Sequence, residues 1–347
     1  MLQKKHDDIN ILVYGLKKNG LLNKKNISFE SEITKAVYRY TLLDYELDNI
    51  CNTLENAKIE FIPLKGSVIR KYYPEPWLRT SADIDVLIHK SDIETAKMYF
   101  TEHLKYKFAE IHEYEASFYT LRGCHIELHF NLIDDDLVDS AATILKNVWD
   151  TTAKHNGYKY WCEMSNEMFY FYHIAHMAKH FLIGGCGIRP FLDLYILNHN
   201  ADFDRKKCDA LLERGKLKEF SKAAALLSEV WFNNAKYNET THQMQDYILR
   251  GGVFGTHENY SVVKQQKLGG KLRYILYKIF IPYKELKKLY PILEKHRWLT
   301  PLMEIRRWFR HIFVWHLNRA TKELKCNNSV SKNIAENTRR LFNEIGL

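Results

Sequence analysis

The segment Asp83-Ile84-Asp85-Val86-Leu87-Ile88 is an informative part of the sequence for both fold and function. It is short, strongly apolar and rich in β-branched residues, which predicts a largely buried β-strand. Because side chains alternate along a strand, Asp83 and Asp85 project from the same face. A buried carboxylate without a partner is unfavourable, and a second one beside it adds repulsion. A divalent cation such as Mg²⁺ would relieve both effects, and the alternative is that both carboxylates are solvated at the end of the strand.

Further strand patterns lie on either side of this stretch. Residues 59–64 form a short apolar run that ends in the turn Lys65-Gly66-Ser67. Residues 91–103 have a helical pattern, and residues 106–131 alternate as two or three antiparallel strands separated by turns. Together these segments predict a small mixed sheet.

Helical patterns dominate both ends of the chain. Apolar residues recur at three- and four-residue steps up to about residue 57, and the pattern is helical again from about Ser165 nearly to the end. The sequence therefore predicts an α+β protein. We expect a small mixed β-sheet domain with N-terminal helices over residues 1–160, followed by an all-helical domain over residues 161–347.

The composition excludes several classes of protein. The 347 residues are 46% hydrophobic and 14% aromatic, which is enough for a sizeable core and argues against disorder. No apolar run is long enough to span a membrane, and the first residues lack the apolar segment of a secretory signal. The six cysteines are far apart, as is usual for reduced thiols. We expect a cytoplasmic protein without stable membrane insertion, structural zinc or a disulfide framework.

Positive charge is concentrated near the C-terminus. The formal net charge is +9, and residues 271–325 contain 14 Lys and Arg against 4 Asp and Glu. This asymmetry indicates an anionic partner, which could be nucleic acid, anionic lipid or a phosphorylated substrate. The alternative is a basic face that is only solvated.

One helix in this basic region is predicted in detail. Thr300 is a suitable N-cap and Pro301 suits the first helical position. An apolar stripe follows at three- and four-residue steps: Leu302, Ile305, Trp308, Phe309, Ile312, Phe313, His316 and Leu317. Most such stripes belong to a core, so we expect this helix to pack on the helical domain.

Two features near the paired aspartates suit phosphate binding. The turn Lys65-Gly66-Ser67 could hold a phosphate with backbone N–H groups and a hydroxyl, and the glycine allows close approach. Arg79 ends a loop stiffened by two prolines and could present its guanidinium to phosphates, although it could equally be an ordinary surface arginine.

The strand predicted at residues 125–130 carries a third carboxylate. Its alternation places His125, Glu127 and His129 on one face and apolar residues on the other. If this strand lies beside the one that carries Asp83 and Asp85, the polar faces form one cluster. The alternative is a polar face directed to solvent.

A histidine-rich helix follows. His173, His176 and His180 are spaced to share one helix face, with Arg189 and Asp193 shortly after them. They lack an obvious fourth ligand for zinc. We expect them to line a cleft between the domains, or else to be polar residues satisfied at a packing face.

Four motifs in a fixed order resemble an uncharacterised nucleotidyltransferase family of the polymerase-β-like nucleotidyltransferase superfamily. They are Leu64-Lys65-Gly66, the YPxPxxR pattern from Tyr73 to Arg79, the strand at 83–88, and Ile126-Glu127-Leu128-His129. The similarity is clear over about residues 60–131. It continues more weakly through the histidine-rich helix and its R–DL segment to about residue 197.

The resemblance implies a nucleotide cleft between the sheet and the helical domain. Gly66 and Ser67 would match the GS turn of the superfamily, although the interval from Gly66 to Asp83 is longer here than in many members. Asp83, Asp85 and Glu127 would match its catalytic carboxylate triad and bind Mg²⁺ or Mn²⁺. Lys65, Ser67 and Arg79 would bind the triphosphate of an NTP, with ATP as the expected nucleotide.

The sequence therefore predicts a metal-dependent nucleotidyltransferase that moves an NMP group from an NTP to an unidentified acceptor, which could be a small molecule, a protein or an RNA. The first alternative is a catalytically silent nucleotide- or RNA-binding module with the same fold. A membrane-peripheral scaffold that acts through the basic C-terminal helices is another. No GxGxxG, Walker A, HExxH or GxSxG motif supports a different enzyme class.

Overall fold

The computed structural model of the chain describes most of the sequence. The described residues are 14–15, 18, 27–133, 138–251, 259, 263, 265, 268–269, 271–313 and 332–347. Part of the N-terminal helical lead-in and the end of the predicted C-terminal stripe, with His316 and Leu317, lie outside them.

The described elements alternate between strands and helices in the first half and are helical afterwards. The strands are β1 (Phe61–Pro63), β2 (Asp83–Ile88), β3 (Lys107–Ile111), β4 (Glu115–Tyr119), β5 (His125–His129), β6 (Thr152–Lys154) and β7 (Cys162–Met164). The helices are α1 (Ile27–Asn56), α2 (Gly66–Ile69), α3 (Ile93–Glu102), α4 (Asp139–Lys146), α5 (Asn166–Leu182), α6 (Arg189–Asn200), α7 (Arg205–Arg214), α8 (Lys218–Asn233), α9 (Glu239–Gly251), α10 (Lys271–Ile279), α11 (Tyr283–Leu289), α12 (Thr300–Phe313) and α13 (Lys332–Ile345). The predicted α+β class is confirmed.

The main sheet has five strands in the order β1-β2-β5-β4-β3. Strands β2 and β5 are parallel neighbours, and the other pairs are antiparallel. The strand predicted over residues 83–88 has those bounds, and the segment 106–131 forms three strands. β6 and β7 form a separate two-stranded sheet.

The two faces of the main sheet have different partners. Ile84, Val86 and Ile88 point to one side, where they join an apolar cluster with buried residues of α1 and α3. On the other side Leu87 joins the large apolar cluster of the helices α5 to α9. That second face also carries Asp83 and Asp85, because side chains alternate along β2. The paired aspartates therefore lie on the face that is directed towards the helical part of the chain.

The large apolar cluster extends across the predicted domain boundary at residue 160. It contains Ile62, Leu64 and Leu87 from the sheet region together with buried residues of α5, such as Phe171 and Ile174. The sheet and the first helices after it thus share one core. The division of the chain into two domains stays a prediction.

Helix α12 forms where it was predicted, but it begins at Thr300, one residue before the predicted first helical position Pro301, and its orientation differs from the prediction. The stripe residues Leu302, Ile305 and Phe309 are 61%, 46% and 57% exposed. Glu304 and Arg307 are buried instead. The expectation that this stripe packs on the helical domain is wrong for these three residues, because an ion pair occupies the inner face of the helix.

Candidate active site

The pairing of β2 with β5 brings the predicted acidic residues together. In this parallel register Asp83 lies opposite His125, and Asp85 lies opposite Glu127. With His129, Asp83, Asp85 and Glu127 line a cleft of about 480 Å³. The chain therefore assembles two predicted motifs, more than 40 residues apart in sequence, on one face of the sheet.

Asp85 is the most strongly paired member of this group. It is 3% exposed, and its Oδ1 lies 2.8 Å from Lys65 Nζ and 2.8 Å from His129 Nε2. Burial alone would raise the pKa of Asp85, but Lys65 and His129 hold it well below its ordinary value. The same pairing raises the pKa of Lys65 despite burial of its ammonium group. Asp85 is therefore an anion held between the Lys65 ammonium group and the His129 imidazole.

Asp83 is in a different electrostatic environment. Burial raises the pKa of Asp83, and the charges of Asp85 and Glu127 raise it further, while Lys65 only partly offsets them. Within the cluster, repulsion between carboxylates therefore disfavours the charged form of Asp83. A bound cation would relieve that repulsion.

His129 lies among three carboxylates. Its Nε2 is 3.2 Å from Glu127 Oε2 as well as close to Asp85, and its Nδ1 is 3.4 Å from Glu115 Oε2. Burial lowers the pKa of His129, but its contacts with Asp85 and Glu127 raise it to a net value above normal. Glu115 was not among the predicted site residues. It reaches the site because it lies opposite His129 in the β4–β5 register, which the sequence pattern does not specify.

The residues on this face can hold a divalent metal ion. Two groups have ligand atoms within 4.8 Å of one another, namely Asp83, His125 and Glu127, and Asp85, Glu127 and His129. Glu127 belongs to both groups, so it could bridge two ions. Carboxylate oxygens suit Mg²⁺ and Mn²⁺, and an imidazole in each group favours Mn²⁺ over Mg²⁺. The donor set fits the predicted metal ion.

The turn before α2 approaches the cleft closely. A Cβ atom built on Gly66 would lie 2.2 Å from Ser81 Oγ and 3.3 Å from Arg79 Nη1, so no larger residue fits without displacing them. Lys65 adopts a positive φ of 42°, which directs the chain into this turn. Gly66 and Lys65 line the cleft, whereas Ser67 is not among the described lining residues. The role of Ser67 in nucleotide binding stays a prediction.

Arg79 lines the cleft but is committed to a partner from the helical region. Its Nε lies 3.0 Å from Asp193 Oδ1, and its Nη2 lies 3.0 Å from Asp193 Oδ2. Asp193 is 2% exposed and also accepts a 2.6 Å hydrogen bond from the Tyr73 hydroxyl. Although burial opposes ionisation, Arg79 lowers the pKa of Asp193. These contacts join the proline-containing loop to α6, and the predicted phosphate contact of Arg79 stays a prediction.

The three predicted histidines of α5 separate into two environments. His176 and His180 line the cleft, with their Nε2 atoms 3.3 Å apart. His173 instead donates a 2.9 Å hydrogen bond to the carbonyl of Pro190. Burial is the main reason that the pKa of His176 lies well below normal and that of His180 is about 4, so both are neutral near pH 7. Arg189 begins α6 and is not among the described lining residues.

The geometry is consistent with one class of protein, and a comparison with protein families shows the family. A mixed sheet that presents two aspartates and a glutamate beside a strand–turn–helix is consistent with a nucleotidyltransferase domain. A family model described as an uncharacterised nucleotidyltransferase matches residues 3–233, which is more than half of the chain. The chain therefore belongs to this family, as the four motifs predicted.

Comparisons with individual proteins and structures gave no further relatives. Neither the curated proteins nor the solved structures include a significant match. In the part of the chain that the structure describes, no helix has the length and apolar character needed to cross a membrane.

Proposed function

We propose that the protein is a metal-dependent nucleotidyltransferase that transfers an NMP group from an NTP, with ATP as the expected donor, to an unidentified acceptor. The acceptor could be a small molecule, a protein or an RNA. The observation that carries this proposal is the placement of Asp83, Asp85 and Glu127 on adjacent parallel strands at one cleft. Membership of the nucleotidyltransferase family supports the same activity.

The carboxylates would hold Mg²⁺ or Mn²⁺. Asp83 and Asp85 are the proposed primary ligands, and Glu127 is a second-metal ligand or a general base for the acceptor hydroxyl. When bound, the metal would neutralise charge on the transferred and leaving phosphates. Asp83 supports this role because burial and the neighbouring carboxylates raise its pKa and so disfavour its charged form, an effect that a bound cation would offset.

Lys65 is the proposed contact for the leaving pyrophosphate, together with Ser67 and Arg79. Its ammonium group is 2.8 Å from Asp85 and lines the cleft, so it can exchange a carboxylate oxygen for a phosphate oxygen. Arg79 would act from its position beside Gly66, where Asp193 holds its orientation. The cleft wall formed by α5 supplies neutral imidazoles that suit contacts with nucleotide or acceptor.

A catalytically silent nucleotide- or RNA-binding module is the second candidate. One observation favours it: Asp85 already has two partners within the chain itself, Lys65 and His129, each at 2.8 Å. A module of this kind would bind nucleotide in the same cleft and transfer nothing. The retention of Asp83 and Glu127, whose charges repel each other, argues for the enzyme.

Label transfer tests the proposal. The protein is incubated with each α-³²P-labelled NTP in turn, with Mg²⁺ or Mn²⁺ and a cell extract, and label in an acceptor is expected. Asp83→Asn should abolish transfer, whereas Glu102→Gln, which removes an exposed carboxylate of α3, should not. Equal transfer by Asp83→Asn and the wild type would exclude the mechanism. Nucleotide binding without transfer under every condition would favour the silent module.

A further inference from the structure

Residues 271–313 form a small helical unit with an apolar cluster of its own. Leu286, Leu293 and Met303 are buried there, and Tyr283 and Tyr290 pack against them. Leu302, Ile305 and Phe309, the apolar stripe of α12, are not part of this cluster and are exposed. The exposure of these and other apolar side chains of α10 and α12 therefore needs a separate explanation.

A buried ion pair sets the rotation of α12. Arg307 Nε lies 2.8 Å from Glu304 Oε2, and both residues are buried. Glu304 Oε1 accepts a 3.0 Å hydrogen bond from the backbone N–H of Ile281, and Arg307 Nη2 donates to the carbonyl of Ile279. The indole of Trp308 donates to the same carbonyl at 2.8 Å. These contacts tie the inner face of α12 to the end of α10, so the opposite face is directed outwards.

The outward face is strongly apolar. Leu302 and Ile305 of α12 are exposed, and so are Leu272 and Leu276 of α10, which is the second helix held by the ion pair. Trp298, just before α12, is 74% exposed. Further exposed large apolar residues in the same unit are Ile279, Phe280, Leu289, Ile292 and Phe309. Such a concentration of exposed aliphatic and aromatic side chains is unusual for a surface that contacts only water.

The unit that carries these exposed apolar residues is also basic. Residues 271–313 contain 11 Lys and Arg against 3 Asp and Glu. Arg306 and Arg310 are exposed and lie one position after Ile305 and Phe309 on α12, so they flank the apolar stripe. Apolar side chains bordered by arginine and lysine are typical of helices that lie in the plane of a membrane interface.

We propose that the outward face of residues 271–313, with Leu302 and Ile305 at its centre and Arg306 and Arg310 at its border, docks on an anionic lipid surface. The helices would lie in the interface, with the apolar side chains among acyl chains and the guanidinium groups at the headgroups. This inference goes beyond the proposed transferase activity and does not depend on the chemistry of the cleft.

The chemistry of the face favours lipid over two other partners. A symmetric dimer through this face would bring two strongly basic surfaces together, because the same patch meets itself at a two-fold axis. Nucleic acid would use the arginines and stack on aromatic rings, but it offers no apolar partner for leucine and isoleucine side chains. An anionic bilayer satisfies both the apolar and the basic part of the surface.

Vesicle flotation with the full chain tests the proposal. The probes are phosphatidylcholine vesicles with and without phosphatidylglycerol, and binding is expected only with the anionic lipid and weaker at high salt. A variant with Leu302→Glu and Ile305→Glu should bind about tenfold less, because both the apolar area and the net positive charge decrease. Leu121→Glu is the matched control, since Leu121 is 81% exposed on the turn between β4 and β5. It should bind like the wild type.

Several results would overturn the proposal or identify a different partner for this surface. No binding to anionic vesicles, or equal binding by the double variant with an unchanged melting profile, would overturn the proposal. Arg306→Glu with Arg310→Glu should also weaken binding. If instead those arginine changes abolish binding to a single-stranded RNA and the Leu302→Glu change does not, the surface binds nucleic acid. Self-association that the double variant removes would identify a second copy as the partner.

Discussion

Asp83 and Asp85 are two residues apart on one strand face, and the structure predicts opposite effects when each is neutralised. Asp85→Asn removes the partner of Lys65, at 2.8 Å, and of His129. Removal of one member of a buried ion pair destabilises a protein by about 3–5 kcal/mol. The side chain of Lys65 is 25% exposed, so water recovers part of that loss. We expect a decrease of about 2–3 kcal/mol in the free energy of unfolding for Asp85→Asn.

Asp83→Asn should leave stability unchanged or increase it. The pKa of Asp83 is raised in the folded state, mainly by burial and then by Asp85. A carboxyl whose pKa is higher when folded stabilises the fold only when protonated, and it opposes folding as the pH rises through the folded-state pKa. The asparagine is neutral at every pH, so it avoids the charged form that the fold disfavours at this position. Both variants replace an aspartate by an asparagine, at neighbouring positions on the same face of β2. Each variant is therefore the control for the other.

Urea-induced unfolding at pH 7 with a metal chelator measures both effects. The midpoint shift and the slope m give the change in free energy for each variant. Lys65→Met in the Asp85→Asn background should restore part of the loss, because no unpaired ammonium group then remains buried. A loss for Asp83→Asn as large as that for Asp85→Asn would refute the assignment of different electrostatic environments. So would a change below about 0.5 kcal/mol for Asp85→Asn, which is the usual effect of a surface substitution.

Three further outcomes follow from the same geometry. Asp193→Asn should lower the free energy of unfolding by about 3 kcal/mol at pH 7, because it leaves Arg79 buried without its partner. Since the pKa of Asp193 is lowered in the fold, this contribution is complete above about pH 4 and is lost as the pH falls further, so the melting curves of variant and wild type should converge in acid. Glu127→Gln should strongly reduce turnover with little change in nucleotide affinity, measured by steady-state kinetics and calorimetry, and the reverse result would exclude its role as base or second ligand. Calorimetry should also show tighter binding of Mn²⁺ than of Mg²⁺, and a preference that His125→Gln or His129→Gln leaves intact would show that the imidazoles do not bind the ion.

Much of the sheet could be predicted because short strands have a period of two. That period places Asp83 and Asp85 on the same face of one strand, and His125, Glu127 and His129 on the same face of another strand, whichever strands are neighbours. The apolar residues Ile84 and Val86 alternate with the aspartates, so they identify the opposite face of the strand as a buried one. These local rules explain why the bounds of the strand at residues 83–88 can be predicted from the sequence.

The differences between these residues depend on contacts that form only in the folded chain. The sequence presents Asp83 and Asp85 as equivalent, but only Asp85 lies within reach of Lys65 and His129. Such differences depend on side chains that arrive from other elements, and a local pattern contains no information about them. The pairing of Arg79 with Asp193, 114 residues later, has the same origin.

Helix α12 shows most clearly where sequence patterns stop being sufficient. The stripe of Leu302, Ile305 and Phe309 determined that the helix is amphipathic, but not which side faces inwards. A buried contact between Glu304 and Arg307, completed by backbone groups at the end of α10, set that rotation. Periodicity identifies two faces of a helix, whereas the partners available in the folded chain determine which face is buried.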